Sequence, residues 1–412
     1  MQPAESTGSP GTPTGSSFEI FRAFLKLGLT SFGGPIAHLG YFREEFVRRR
    51  AWLDEAHFAQ LLAVCQFLPG PASSQMGFAI GLFRGGVRGA LVAFIAFTLP
   101  SALLMFGFAA LASQVEAGVG RAVVHGLKLL AVAVVAHGVL GMARQLTPDL
   151  PRLSIAIGAA ILIVLSGSAW MQLAAIAVGG LLGPWLCRQV AAPPRAIFPV
   201  TYGPRTAAAL LALFLIGLAC ALLVPTGSTA SATGLAAAFY QAGALVFGGG
   251  HVVLPLLQQS IVEPGWMGQD TFLAGYGAAQ AVPGPMFTVA AFLGAEVEPG
   301  LPAALGGAIA LIAIFLPGFL LLLAALPVWA RLAQRPWATS AMAGVNAVVV
   351  GLLAAALYDP VWTGGVHGLT DLVIALVGFA LLAAWRVSAL WIVGWCVAAS
   401  VVVALASVPG AT

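Results

Sequence analysis

Apolar residues run along this chain in stretches too long for an ordinary core helix and without the strict alternation of a strand. Val87 to Ala112, Ala122 to Met142, Thr206 to Val224, Leu301 to Leu326 and Ala389 to Ala406 each approach or exceed the roughly 20 apolar residues that carry a helix across a bilayer. Every lipid-facing backbone group needs an internal partner, and no barrel-like alternation of polar and apolar positions is visible. The pattern therefore predicts an all-α, polytopic membrane protein.

Glycine and proline interrupt the pattern at matching places. Gln66-Phe67-Leu68-Pro69-Gly70-Pro71 recurs as Gln280-Ala281-Val282-Pro283-Gly284-Pro285. Proline lacks the N–H and restricts the residue before it, so each Pro-Gly-Pro breaks its helix. Upstream, Phe24, Gly28, Phe32, Gly33 and Gly34 align with Phe239, Gly243, Phe247, Gly248 and Gly249. Trp52 and Phe58 match Trp266 and Phe272, Leu99-Pro100 matches Leu316-Pro317, and Gly126-Leu127-Lys128 matches Gly344-Val345-Asn346. This ordered set predicts a duplicated chain. Each half reads as a segment broken at Gly-Gly, two short segments meeting at Pro-Gly-Pro, two long spans and two shorter ones. The expected divisions are a disordered tail over 1–17, a first membrane repeat over 18–190, a linker with one extra helix over 191–233, and a second repeat over 234–412.

Charge orients the halves, because Lys and Arg in short loops concentrate on the cytoplasmic side. With Arg43, Arg48, Arg49, Arg50, Arg84 and Arg88 inside, the first Pro-Gly-Pro is the bend of a hairpin entered from the cytoplasm. An inverted second half then puts Arg331, Arg335 and Arg386 inside as well, and Glu263, Asp270, Glu296, Glu298, Asp359 and Asp371 outside. A parallel second half would expose all three arginines outside. The inverted reading leaves only Arg121 outside and Lys128 within a span, and makes both Gly-Gly segments double back. An alternative for Thr206 to Val224 is that it lies in the interface without crossing.

Composition agrees: of 412 residues 60% are hydrophobic and 8% charged, with a mean hydropathy of +0.98, where a soluble chain carries about 25% charged residues. The Ser, Thr, Gly and Pro of residues 1–17 do not form a signal peptide. Cys65, Cys187, Cys220 and Cys396 have no metal-ligand spacing and read as small core residues.

The candidate chemistry lies at the helix breaks. Pro71 and Pro285 suit the first turn of a helix, whose free N–H groups carry about half a positive charge, an anion site without a cation. Pro69, Gly70, Pro283 and Gly284 shape the bends, Ser73, Ser74 and Thr288 offer hydroxyls, and Gln66 and Gln280 offer amide N–H. Gly33, Gly34, Pro35, Gly248, Gly249 and Gly250 either expose backbone N–H to a ligand or let helices approach. The alternative for the prolines is that they only kink packed helices. His251 is a proton or ligand group or a hydrogen-bonded structural histidine. Lys128, whose burial in a span costs about 3 kcal/mol, must face an anion, a cavity or a partner, or snorkel to the interface. No Walker A loop, H-E-x-x-H, paired intramembrane carboxylate or C-x-x-C is present, so neither catalysis, a cofactor, a metal nor nucleic acid is expected.

These paired motifs, Phe32-Gly33-Gly34-Pro35 with Gln66 to Pro71 and Gly81, and their second copies, resemble the chromate ion transporter family from about Phe18 to the last span. Gly250 departs from the pattern, standing where the first half has Pro35. The resemblance implies a bacterial inner-membrane exporter of chromate, with sulfate as competitor or exchange partner; the charge map puts the N-terminus in the cytoplasm, the lipid bilayer is the solvent, and a homodimer is left open. The alternatives are a permease for another anion, such as sulfate taken up inward, and a membrane scaffold or intramembrane enzyme, against which the missing catalytic groups and the duplicated helix breaks argue.

Overall fold

In each repeat helices of 5 to 14 residues, too short to cross a bilayer, precede longer ones. The computed structural model describes residues 15–112, 119–166, 169–187, 200, 202–225, 227, 229–247, 252–329, 335–385 and 387–406. In the first repeat α1 (Ser17–Thr30) ends at Ser31, and Gly33 and Gly34, both at positive φ, turn the chain into α2 (Gly34–Phe42), which runs on as a wider turn over Arg43–Arg49. The chain doubles back here as expected: the Phe24 ring meets Phe42 at 5.9 Å and Phe46 at 4.8 Å between centroids. Asp54 caps α3 (Glu55–Phe67) through the N–H of His57. After Pro-Gly-Pro comes α4 (Ala72–Ala112), bent sharply at Gly85 and Gly86. Then follow α5 (Val119–Leu146), α6 (Leu150–Ser166) and α7 (Ala169–Leu186).

The extra segment forms α8 (Pro204–Leu223), long and apolar enough to cross and packed beside the helices of the second repeat, where Tyr240 Oη donates to Phe214 O at 3.1 Å. The second repeat has α9 (Ala232–Leu245), α10 (Val253–Leu257), α11 (Gln269–Ala281), α12 (Val289–Glu296), α13 (Ala303–Ala325), α14 (Pro336–Ala356), α15 (Leu369–Ala383) and α16 (Ala389–Ala406). The described residues contain no strand.

The two halves share their detail. Trp52 N–H donates to Phe46 O at 2.8 Å, and Trp266 N–H donates to Ile261 O at 3.0 Å, so the same elbow precedes α3 and α11. Gly28 seats α1 on the carbonyls of Phe97 and Ala96 in α4; Gly243 seats α9 on the carbonyl of Ile314 in α13. Gly81 and Gly89 let the two arms of α4 touch, as Gly294 and Gly306 do for α12 and α13.

The elbows lie on opposite faces, as inversion requires. Arg43–Arg49 sits with the bend of α4: Arg50 and Arg84 lie over the Trp52 ring at 5.4 and 5.1 Å, and both reach Glu19. Burial pushes the carboxyl of Glu45 up, but hydrogen bonds from Arg50 and Lys26 outweigh it and hold this group below the ordinary carboxylate range. From that face α4 crosses to the start of α5, and there the α10–α11 elbow meets it through Asp270.

Long helices are exchanged between halves. Gly126 of α5 packs on Cys396 and Val397 of α16, and its counterpart Gly344 of α14 packs on Gly179 and Gly183 of α7. Each repeat thus lends one long helix, α5 or α14, to the other.

A Cβ at Gly28 meets Phe97 O at 2.7 Å, whereas one at Gly40 meets nothing within 4 Å. Gly28→Val is expected to cost about 1–3 kcal/mol and lower the melting temperature in detergent, with Gly40→Val unchanged.

Candidate functional site

The two Pro-Gly-Pro breaks are each held by the opposite repeat. Proline leaves Leu68 and Val282 extended, and Gly70 (φ 126°) and Gly284 (φ 94°) take a conformation that side-chain-bearing residues rarely adopt. Gly70 N–H donates to Val246 O at 2.7 Å, at the end of α9; Gly284 N–H donates to Ser31 O at 2.9 Å, at the end of α1. Each bend therefore closes on the other half's Gly-Gly segment. A Cβ on Gly70 would lie 3.0 Å from Gly318 Cα, and one on Gly284 would lie 2.9 Å from Ser101 Oγ. Gly318 and Ser101 are the residues that follow Pro317 and Pro100 inside α13 and α4.

Of the residues singled out from sequence, Gly70, Pro71, Ser73, Ser74, Gln280, Pro283, Gly284, Pro285 and Thr288 are buried around these bends, and Pro69 is half-buried. Gln75 is the first residue of α4 to bond back, to Pro71 O at 2.9 Å, so the N–H groups of Ala72, Ser73 and Ser74 precede the intrahelical ladder. Thr288 Oγ1 donates to Pro285 O at 2.7 Å, and Gln280 Nε2 lies 2.7 Å from Met286 Sδ. Gln66 differs from its counterpart: it is exposed. Gly33 is exposed and Gly34 half-buried at the first Gly-Gly turn, with Pro35 in the opening turn of α2. Gly248, Gly249, Gly250 and His251 lie outside the described residues.

Several polar groups at the bends are not in that set. Gln75 Nε2 ties the first bend to α13 by donating to Pro69 O at 3.0 Å and Gly318 O at 2.9 Å. His38 Nε2 lies 3.2 Å from Ser31 O, the same carbonyl that receives Gly284, and its ring stands edge-on to Phe97 at 5.5 Å. Ser31 Oγ, His38 Nδ1, Ser74 Oγ, Gln75 Oε1 and Thr98 Oγ1 are all buried without a protein partner. A buried polar atom of this kind needs a water or a ligand. Their sequence signal was the polar residue inside an apolar helix, which is weak without the neighbours that the fold supplies.

Between the bends run phenylalanine rings. Phe319 stacks on Phe78 at 4.3 Å and lies 6.0 Å from Phe315, which lies 5.9 Å from Phe287, two residues beyond Pro285. Phe94 touches both Phe315 and Phe319. The two bends are thus linked by a short aromatic path.

Lys128 has a protein partner. Its Nζ lies 2.5 Å from Asp270 Oδ1, across the two repeats, with the lysine side chain 8% exposed and the aspartate 77%. Gly277 of α11 packs on Leu127 O, so α11 leads from this ion pair to the second bend at Pro283.

A family model described as chromate transporter matches residues 18–184 and again 233–403. A probable chromate transport protein of Synechococcus elongatus is 30% identical over 380 residues, 91% of each chain. A chromate transport protein of Pseudomonas aeruginosa is 30% identical over 375 residues, 89% of this chain and 87% of that one. The uncharacterized transporter YwrA of Bacillus subtilis is 30% identical over 182 residues, which are 41% of this chain and 99% of that protein. No solved structure matches the chain.

The unequal exposure of Lys128 and Asp270 sets the order of two variants. Asp270→Asn strands a buried ammonium and is expected to cost up to about 3 kcal/mol. Lys128→Met leaves only an exposed carboxylate and should cost less. Melting temperatures in detergent should rank wild type, then Lys128→Met, then Asp270→Asn, with the double variant recovering above Asp270→Asn.

Proposed function

The chain belongs to the chromate transporter family, and we propose that it is a secondary carrier, not an enzyme, which exports chromate across the inner membrane of a bacterium. The observation that carries this reading is the set of buried, partnerless polar atoms at Ser31, His38, Ser74 and Thr98, gathered where each Pro-Gly-Pro bend locks onto the other repeat. Chromate is a tetrahedral dianion, and such a solute near the midplane of a bilayer needs several converging donors. Hydroxyls, the first turn of α4 and the short Met286–Thr288 turn that leads into α12 supply them without a full positive charge. Gln75 Oε1 is an acceptor only and gives the anion no donor.

In this reading Gly33, Gly34, Pro35, Gln66, Pro69, Gly70, Pro71, Ser73 and Ser74 form the first half of the binding region. Gly248, Gly249, Gly250, His251, Gln280, Pro283, Gly284, Pro285 and Thr288 form the second. Lys128, balanced by Asp270, marks the mouth on the face away from the arginines. The arginine-bearing face is cytoplasmic, and the N-terminus lies there. Because the repeats are inverted, a rocking of one against the other converts an inward-open state into an outward-open one through the same contacts. An ion gradient, the membrane potential or exchange against sulfate supplies the drive, sulfate having the same shape and charge. A homodimer fits this arrangement but is not needed by it.

Labelled chromate should accumulate in everted vesicles, compete with sulfate, and fall when the coupling gradient is collapsed. Ser31→Ala, Ser74→Ala and Thr98→Val should each lower the rate at least about tenfold at equal abundance in the membrane, since each removes a donor to a charged ligand. Unchanged rates in all three, or no accumulation by active vesicles, would overturn the reading.

A further inference from the structure

A second cluster of polar side chains lies away from the helix breaks, at the end of α5 opposite the arginine-bearing face. His125 and Lys128 occupy the same side of α5, one turn apart. Lys128 is committed to Asp270. His125 Nε2 lies 2.8 Å from Asp371 Oδ1, at the start of α15. The ring of His367 stacks against that of His125 with centroids 5.9 Å apart, and the backbone N–H of His367 donates to Asp371 Oδ2 at 2.9 Å. One ligand atom from each of the three residues can be chosen so that all lie within 4.8 Å of one another.

The geometry points to a divalent-metal site formed by His125, His367 and Asp371, with zinc or another borderline ion of the first transition row as its occupant. Two imidazoles and one carboxylate are a ligand set for such ions, and three protein ligands leave a position for water. Tetrahedral zinc, with bonds of about 2.0–2.2 Å, requires donors about 3.4 Å apart. The remaining closure falls to His367, which is exposed and free to turn its ring, while His125 and Asp371 are half-buried and already in contact. The His367 N–H that holds Asp371 Oδ2 leaves Oδ1 for the metal, the outer-sphere support that ligating carboxylates commonly have. Binding at Nε2 replaces the His125–Asp371 hydrogen bond, and the neutral imidazole takes the tautomer that carries its proton on Nδ1.

The placement gives the site a structural consequence. His125 belongs to the first repeat, and His367 and Asp371 belong to the second. A bound ion therefore fastens α5 to the second repeat, one turn from the Lys128–Asp270 pair that joins the same two halves.

The test uses the full chain purified in detergent, stripped with a chelator, and titrated with Zn²⁺ by calorimetry and with Cu²⁺ by electron paramagnetic resonance. One Zn²⁺ per chain, a rise in melting temperature with Zn²⁺, and nitrogen hyperfine structure from two imidazoles on Cu²⁺ are expected. His367→Ala, which removes an exposed side chain and leaves the fold intact, should weaken Zn²⁺ at least about tenfold, and Asp371→Asn similarly. His57→Ala, on the arginine-bearing face, should leave the affinity unchanged. Wild-type affinity in His367→Ala, or no Zn²⁺ binding by the wild type, would overturn the site and leave His125 and Asp371 as a plain hydrogen-bonded pair.

Discussion

The structure depends on two crossed hydrogen bonds, Gly70 N–H to Val246 O and Gly284 N–H to Ser31 O. A helix that stops halfway through a bilayer leaves N–H and C=O groups at its end with no water to receive them. In each repeat the Gly-Gly end leaves a carbonyl and the Pro-Gly-Pro bend leaves an N–H, and each of these pairs with the opposite half. Inversion solves it. The carbonyl left over at the end of α1 meets the N–H left over at the second bend, and the carbonyl at the end of α9 meets the first. The glycines are needed twice over at these points, for positive φ and for the approach of Gly318 or Ser101. The same exchange recurs at larger scale, where Gly126 and Gly344 notch α5 and α14 each into the last helix of the other half. Without a hydrophobic driving force between helices in lipid, such close contacts and satisfied backbone groups are what hold the halves together.

On this symmetric frame the polar residues are not symmetric. Gln75 reaches across to Gly318 O, while its counterpart in the second half is Val289. His38 shares the Ser31 carbonyl with Gly284, while its counterpart is Val253. Ser101 stands opposite Gly284 where Gly318 stands opposite Gly70. Duplicated backbone geometry thus supplies the fold, and single side chains make the surroundings of the two bends chemically different. All five partnerless buried polar atoms named at the bends, at Ser31, His38, Ser74, Gln75 and Thr98, belong to the first repeat.

The breaks, the duplication and the inversion were legible in the sequence because glycine and proline act on their own neighbourhood and because short charged loops report on sidedness. Phe24 meeting Phe42 shows that the Gly-Gly segment doubles back as the charge map required. What could not be read was which break meets which. The Gly70–Val246 and Gly284–Ser31 pairs join residues from different halves, and a local signal carries no address for a distant partner. Lys128 illustrates the same limit. Its isolation in an apolar helix called for a partner, an anion or a cavity, and the partner is Asp270 in the other half of the chain. His38 and Thr98 carry no such signal, because a single polar residue in a span becomes informative only when its neighbours fail to bond it.

The ion pair at Lys128 also constrains how an anion can be held. Its charge is balanced by Asp270, and the arginines of the described elbow lie at a membrane face in pairs with Glu19, Glu44, Glu45 and Glu55. A dianion at the bends would therefore be held by partial charges, about half a unit from each helix end, and by hydroxyls whose hydrogen bonds to a charged group contribute roughly 1.5–3 kcal/mol each. Guanidinium groups in a low-dielectric interior would bind it far more tightly. A carrier must release its solute on the far side as readily as it takes it up, so a site built from dipoles and hydroxyls, satisfied by water when the solute leaves, suits turnover better than a site built from fixed cations. The near absence of buried positive charge among the described residues is then a requirement of the proposed work and not a shortage that the fold has to overcome.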